Sequence, residues 1–349
     1  MPRSSIHSLN VKQVLSFGIA GTVLGFVYIA LVNGFTHVHP FVNGTIGGFL
    51  LGVLICGFEI YVFGQRLKQS SFGWMLLIRT VIYMICITLI ILTVVTINRS
   101  IRHGQTFGDA LQSQESYDYI FRGNFKTAIT FTFIAAILAN FTRLVSLKIG
   151  RGALANFFLG AYHKPKVKER VFIFLVIKNA HEILQKSSVE TYHAFLNEIY
   201  REVSIAALHN RGYIYEYVED LVIIYWKGNE KKLDQALINF HNEVKAALKN
   251  KEQYFFGAFN DVPELNWAAH GGEVIQAEIG ELKTEIVFHG DVLNTTARIS
   301  GLVSKENTFI ISNFILDRIQ TIAGIKATAI GEIELRGKSK PIPLFTLAV

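Results

Sequence analysis

Charge is scarce in this chain. Only 17% of its 349 residues are Asp, Glu, Lys or Arg, against 50% that are hydrophobic. An ordinary soluble domain carries about a quarter charged residues, so the deficit excludes one water-exposed globule over the whole length. It points instead to a membrane part joined to a soluble part. A basic stripe is also missing: the formal charge is +7, but the lysines and arginines stand beside apolar runs rather than along one face, which excludes nucleic acid as the expected partner. Cysteine is almost absent. Cys56 and Cys86 both lie inside apolar runs without metal-ligand spacing, which excludes a thiolate metal centre and leaves them as small buried apolar residues.

What is present before residue 150 is apolar and long. Val14 to Phe35, Phe41 to Phe63, Trp74 to Thr96 and Thr127 to Leu147 each approach the ~20 residues that a helix needs to cross a hydrocarbon core. They predict an all-α transmembrane bundle of four spans over residues 1–150. The first is too long for a secretory leader and lacks a small-residue cleavage site, so it is expected to remain in the mature protein. Arg3 and Lys12 precede the first span, Arg66 and Lys68 separate the second from the third, and Lys148 and Arg151 follow the fourth. That pattern predicts a multi-pass protein of the inner, cytoplasmic membrane with both termini cytoplasmic. Gly21 and Gly25 on the first span and Gly44, Gly48 and Gly52 on the second recur every four residues, the spacing that lets two helices approach closely. Glu59 and Arg79 lie inside the second and third spans and are expected to pair, because an isolated intramembrane charge is costly. No polar stripe marks a transport path, so the bundle reads as an anchor or sensor.

A basic linker, residues 151–170, would lie near anionic headgroups of a lipid membrane. Beyond it, over 171–349, the pattern changes to short β-branched and aromatic runs alternating with amphipathic segments. Strands are expected at Val171 to Ile177, in a hairpin over Gly212 to Trp226, at Leu265 to His270, Phe309 to Ser312, and near Glu332 to Leu335 and Pro343 to Leu347. Glu285 to Phe288 forms a further apolar stretch. Helices are expected at Val189 to Asn210, Lys232 to Leu248, about Val292 to Val303, and Asn313 to Gln320. The order predicts one α/β or α+β domain.

Within that domain, GAYHKP with ERVFIFLVI, YEYVEDLVIIYW, WAAHGGEVIQAEIG, VFHGDVLNTTARIS and GEIELRGKSKPIPLFTL follow one another. The series resembles the class III adenylate/guanylate cyclase family in its membrane-anchored bacterial form. The resemblance covers about Leu159 to the C-terminus. It implies a ferredoxin-like sheet with helices, a dimerising domain, a nucleoside triphosphate as ligand, and Mg2+ or Mn2+ as cofactor if the protein is active, otherwise none.

The resemblance also distributes roles. Asp220 matches a metal-binding aspartate on the hairpin, while Val176 stands where the family has the other one, and valine offers no oxygen to a cation. Lys178 and His181 do not replace it, and of the hairpin acids only Glu216, alternating with Val218, is placed to reach in. Asn294 and Arg298, spaced i, i+4 on one helix face, match the pair that the family's second chain brings to ribose and transition state. Glu216 and Val287 match the base-selecting positions, and Arg336 and Lys338 are candidates for the triphosphate. His270 reads as structural, and Gly271, Gly272 and Gly280 as points of close backbone approach. The implied function is a cyclase-family protein of cyclic-nucleotide signalling whose metal site is degenerate, impaired alone or acting as the partner half of a homodimer or heterodimer with a paralogue. The alternatives are an active cyclase with an altered site and a non-catalytic nucleotide-sensing module.

Overall fold

The computed structural model describes residues 3–35, 38–62, 72–123, 125–149, 164–281, 284–304, 308–319, 322, 325–338 and 340–348. The chain divides into two compact units, residues 2–145 and 146–349. Arg66 and Lys68, and the start of the basic linker, lie outside the described residues.

The amino-terminal unit is helical: α1 (Arg3–Asn33), α2 (Val38–Gly57) running into a π-helical turn (Phe58–Val62), α3 (Phe72–His103), the short α4 (Phe107–Gln112) and α5 (Gln114–Phe121), and α6 (Phe125–Ile149). Among the described residues, three stretches are long and apolar enough to cross a membrane, Gln13–Val32, Val38–Val62 and Leu77–His103. The fourth expected span falls in α6, whose apolar stretch among the described residues covers only Phe125–Leu138. Among the described residues, three candidate spans therefore stand where four were expected. α1 and α2 meet backbone to backbone along their glycines. A Cβ on Gly48 would stand 2.1 Å from the Gly21 carbonyl oxygen, and one on Gly25 would stand 1.9 Å from that of Gly44. Nothing larger than hydrogen fits there. Glu59, in the π-helical turn, lies 3.2 Å from Arg79 Nη1 and accepts a 2.5 Å bond from the Tyr83 hydroxyl. Both charges are almost fully buried, so the pair supplies the compensation that the apolar surroundings demand.

The carboxy-terminal unit is one mixed sheet with helices. In chain order it comprises β1 (Lys166–Ile177), α7 (Ala180–Lys186), α8 (Val189–His209), β2 (Tyr213–Val218), β3 (Leu221–Lys227), α9 (Leu233–Asn250), α10 (Glu252–Phe259), β4 (Leu265–Ile279), β5 (Glu285–His289), α11 (Asp291–Ser300), β6 (Phe309–Ser312), α12 (Asn313–Ile319), β7 (Lys326–Ile333) and β8 (Ile342–Ala348). The strand order is β2-β3-β1-β4-β6-β8-β7, with β5 added to β4; β4 and β6 are parallel and the other pairs antiparallel.

β1 divides its side chains by parity. Val171, Ile173, Leu175 and Ile177 enter the larger core with Phe195, Ile199, Phe240 and Trp226, beneath α8 and α9. Phe172 and Phe174 enter a second core on the other face, with Val292 and Ile299 of α11. Val176 belongs by parity to this second face. Two expected strands differ in extent: β1 begins at Lys166 rather than Val171, and β4 runs on from His270 to Ile279, because the two pair continuously from Lys166–Gln276 to Ile177–Leu265. The strand expected at Glu332 to Leu335 is instead Lys326–Ile333, and Leu335 turns inward to the second core.

Candidate functional site

The hairpin β2–β3 is turned by two residues, Glu219 and Asp220, between the paired Val218 and Leu221. Glu219 takes a φ of +50°, a left-handed conformation natural to glycine and costly for a side chain with a Cβ. α8 steadies this turn: the Tyr200 hydroxyl donates to the Glu219 carbonyl, and the Tyr200 ring lies 4.6 Å from that of Tyr217, whose hydroxyl meets Ser204 Oγ at 2.6 Å. Burial, together with Tyr192, Asp220 and Tyr217 nearby, pushes the Tyr200 hydroxyl up to about 12. It therefore keeps the proton that it donates.

The turn sets Asp220 beside Val176. Val176 pairs with Leu221, and the Ile177 N–H donates to the Asp220 carbonyl at 2.8 Å. The two Cα atoms are consequently neighbours across the strand gap, about 6 Å apart. One of the neighbours is a carboxylate and the other a hydrocarbon.

Glu216 reaches the same sheet face by a device that simple alternation does not show. β2 and β3 keep register through Ile214–Ile224 and resume it at Glu216–Ile223, leaving Tyr215 as an extra residue. This bulge turns Glu216 to the face of Ile223 and Phe174, and away from that of Ile214. Strand spacing then puts its Cα roughly 12 Å from that of Val176, with β3 between them, too far for a glutamate to take over that position. Glu216 is exposed. Val287 pairs with Ala277 on β5, and its neighbour Phe288 packs on Tyr215 and Tyr225, with ring centroids 5.1 and 4.9 Å apart. Val287 therefore points to the opposite side from Phe288, and among the described contacts none joins it to Glu216.

α11 carries Asn294 and Arg298 one turn apart, Asn294 exposed and Arg298 half-buried. Arg298 lies across the turn after Leu335, where Gly337 has a φ of +77° and a Cβ would stand 3.3 Å from Arg298 Nη2. Lys338 in that turn pairs with Asp291, the first residue of α11, whose carboxylate lies 4.0 Å from Arg298 Nη1 and 3.3 Å from the Thr295 hydroxyl. Burial pushes the Asp291 carboxyl up, but Lys338, Thr295 and Arg298 outweigh it and hold it below the usual range. Arg336, two residues from Lys338, is exposed. So the structure brings Arg298 and Lys338 together and leaves Arg336 outside. Asp291 is the member that sequence reasoning missed: an acid in the first turn of a helix, two turns before a candidate arginine, is visible in the sequence, but its pairing with Lys338 is not.

His270 donates or accepts at 2.8 Å with Ser312 Oγ, and burial, with Lys338 nearby, lowers it to about 4. It is a neutral sheet histidine, as expected. A Cβ on Gly271 would meet the Phe314 ring at 2.3 Å and one on Gly272 would meet Val292 at 3.1 Å, whereas Gly280 answers a φ of +99°. Among the described residues no group of three or more His, Cys, Asp or Glu could hold a metal ion.

The chain is 28% identical over 200 residues to adenylate cyclase 2 of Rhizobium meliloti (strain 1021), covering 57% of this chain and 55% of that protein. The chain thus spans about half the length of the curated relative it matches, and no protein-family model matches it. Among solved structures, a bacterial light-regulated adenylyl cyclase is similar at a TM-score of 0.53 and 16% identity, over 62% of this chain and 63% of that one. The adenylyl cyclase CyaB of P. aeruginosa is similar at a TM-score of 0.48 and 18% identity, over 53% and 96%. The chain thus shares its fold with that light-regulated enzyme, and its hairpin carries Asp220 beside Val176.

Proposed function

We propose that this protein is a membrane-anchored member of the cyclase family in cyclic-nucleotide signalling whose cyclase domain serves as the partner half of a composite site. The observation that carries this reading is the cross-strand neighbourhood of Asp220 and Val176. A two-ion clamp needs both cations held, and a divalent ion of this kind takes oxygen ligands. One carboxylate beside one isopropyl group does not fit that pair of ions, and Glu216 stands too far off to mend it. The residues on α11 and in the following turn are of the other kind. Asn294 offers an amide to a sugar hydroxyl, and Arg298 and Lys338 offer fixed positive charge to phosphoryl oxygens on which charge builds.

In a dimer, each such chain lends this cationic face to a neighbour that supplies both aspartates. The bundle is the anchor. α6, 25 residues long, serves as the fourth span and returns the chain to its starting side, with both termini cytoplasmic.

The test is purified full-length protein in nanodiscs, incubated with each nucleoside triphosphate and Mn2+. The wild-type protein alone gives little cyclic product, and Val176→Asp raises it by about 100-fold, the equivalent of ~2.7 kcal/mol at 1.36 kcal/mol per tenfold. Brisk turnover by the wild-type chain would sink the reading in favour of an active cyclase with an altered site.

A further inference from the structure

The cations assigned above to a polyphosphate are not waiting free. Lys338 is paired with Asp291, and the same carboxylate stands 4.0 Å from Arg298 Nη1. That nitrogen is buried and makes no hydrogen bond among the described residues. The guanidinium also lies over Gly337, where a Cβ would stand 3.3 Å from its other terminal nitrogen. The Asp291 side chain is about half exposed, at 52%, while Lys338 is 23% and Arg298 33% exposed. The most water-facing member of the trio is thus the anion. An incoming phosphate group would need the oxygen positions that Asp291 now takes.

We propose that Asp291 is a resident anion of the polyphosphate subsite, a built-in competitor that holds Lys338 and Arg298 in place while the subsite is empty and swings out when a polyphosphate enters. This rests on the reading of Arg298 and Lys338 as phosphate-binding residues and adds to it a residue that lowers affinity. Two effects act in one direction. The carboxylate must be displaced from its cations before phosphate oxygens can reach them, and a carboxylate left nearby repels a polyanion. A positioning role alone predicts the reverse, weaker binding once the carboxylate is gone. In return, Asp291 keeps two cations from repelling each other and places negative charge at the first turn of α11, where the helix favours it.

The experiment is calorimetric titration of inorganic pyrophosphate into the full-length protein in nanodiscs at low salt. Asp291→Asn is compared with wild type, and Asp291→Ser serves as a second variant should the amide disturb the turn. Both are expected to bind pyrophosphate about tenfold more tightly, equivalent to ~1.4 kcal/mol, while their thermal midpoint falls. The gain should vanish when Lys338→Ala is added, and it should shrink with added salt. Unchanged or weaker binding by folded Asp291→Asn and Asp291→Ser overturns the competitor role. Binding that ignores Lys338→Ala overturns the subsite itself. Neither result touches the missing metal ligand, whose own test is cyclic product from wild-type protein alone, so the two readings fail separately.

Discussion

At the scale of single residues, the proposed site turns on one carboxylate position filled by valine and one strained backbone. Val176 pairs across to Leu221 beside Asp220, so an aspartate there would complete the carboxylate pair without moving a strand. Glu219 holds its φ of +50° in the hairpin turn although a left-handed residue with a Cβ costs about 1 kcal/mol relative to glycine. Glu219→Gly is therefore expected to raise stability by about 1 kcal/mol, read as a higher thermal midpoint of the solubilised protein. An unchanged or lower midpoint would show that the turn relaxes around its glutamate. Conversely, Tyr200→Phe removes the only side-chain donor described at the Glu219 carbonyl. It should cost about 1 kcal/mol and loosen the turn that carries Asp220.

At the scale of elements, close backbone approach joins the first two helices. α1 and α2 touch through backbone at Gly21, Gly25, Gly44 and Gly48, whereas a Cβ on Gly47 meets nothing within 4 Å. Gly48→Val should separate the helices and lower the thermal midpoint by several degrees, while Gly47→Val should leave it nearly unchanged. Equal effects of the two would refute the glycine contact. This spacing was legible in the sequence, as were the hairpin, β6, α8 and the Glu59–Arg79 pair, because each rests on local periodicity or on a charge that has to be compensated. The bulge at Tyr215 was not legible. Alternation predicts Glu216 on the face of Ile214, and only the pairing with β3 shows the extra residue that turns it over. Nor was the long end of β4 legible, since GGEVIQAEI has weak strand character alone and is ordered by β1 and β5 on either side. Of the proposed site, the hairpin that carries Asp220 and the helix that carries Asn294 and Arg298 could be read from pattern and spacing. Asp291 could not, because its part depends on a turn more than forty residues later in the chain.

At the scale of the whole molecule, stability should depend on pH through two histidine rings, His241 buried and His270 half-buried. His241 lies against Trp267 and Phe309 and is lowered to about 4 by burial, with Lys245 adding; His270 is lowered to about 4 in the same way. The unfolded chain binds the proton more readily, with a value near 6.5, so stability is fully present above about pH 6.5 and is lost as pH falls toward 4. Between pH 7.5 and pH 5 each ring should cost about 2 kcal/mol, and His241→Phe should flatten half of that slope in a pH series of thermal midpoints. The central claim, however, concerns two chains rather than one. Asp220 lies at the hairpin tip and Asn294 and Arg298 lie on α11, and among the described contacts none joins them within a chain. The most direct measurement mixes wild-type protein with a chain carrying Val176→Asp, Asn294→Ala and Arg298→Ala, reconstituted together in nanodiscs with nucleoside triphosphate and Mn2+. The wild type retains the cationic face and the triple variant the restored carboxylate pair. The mixture should therefore form cyclic nucleotide well above the sum of the separate proteins, each nearly inactive. A mixture no faster than that sum, or wild-type protein as fast alone as in the mixture, would contradict the account.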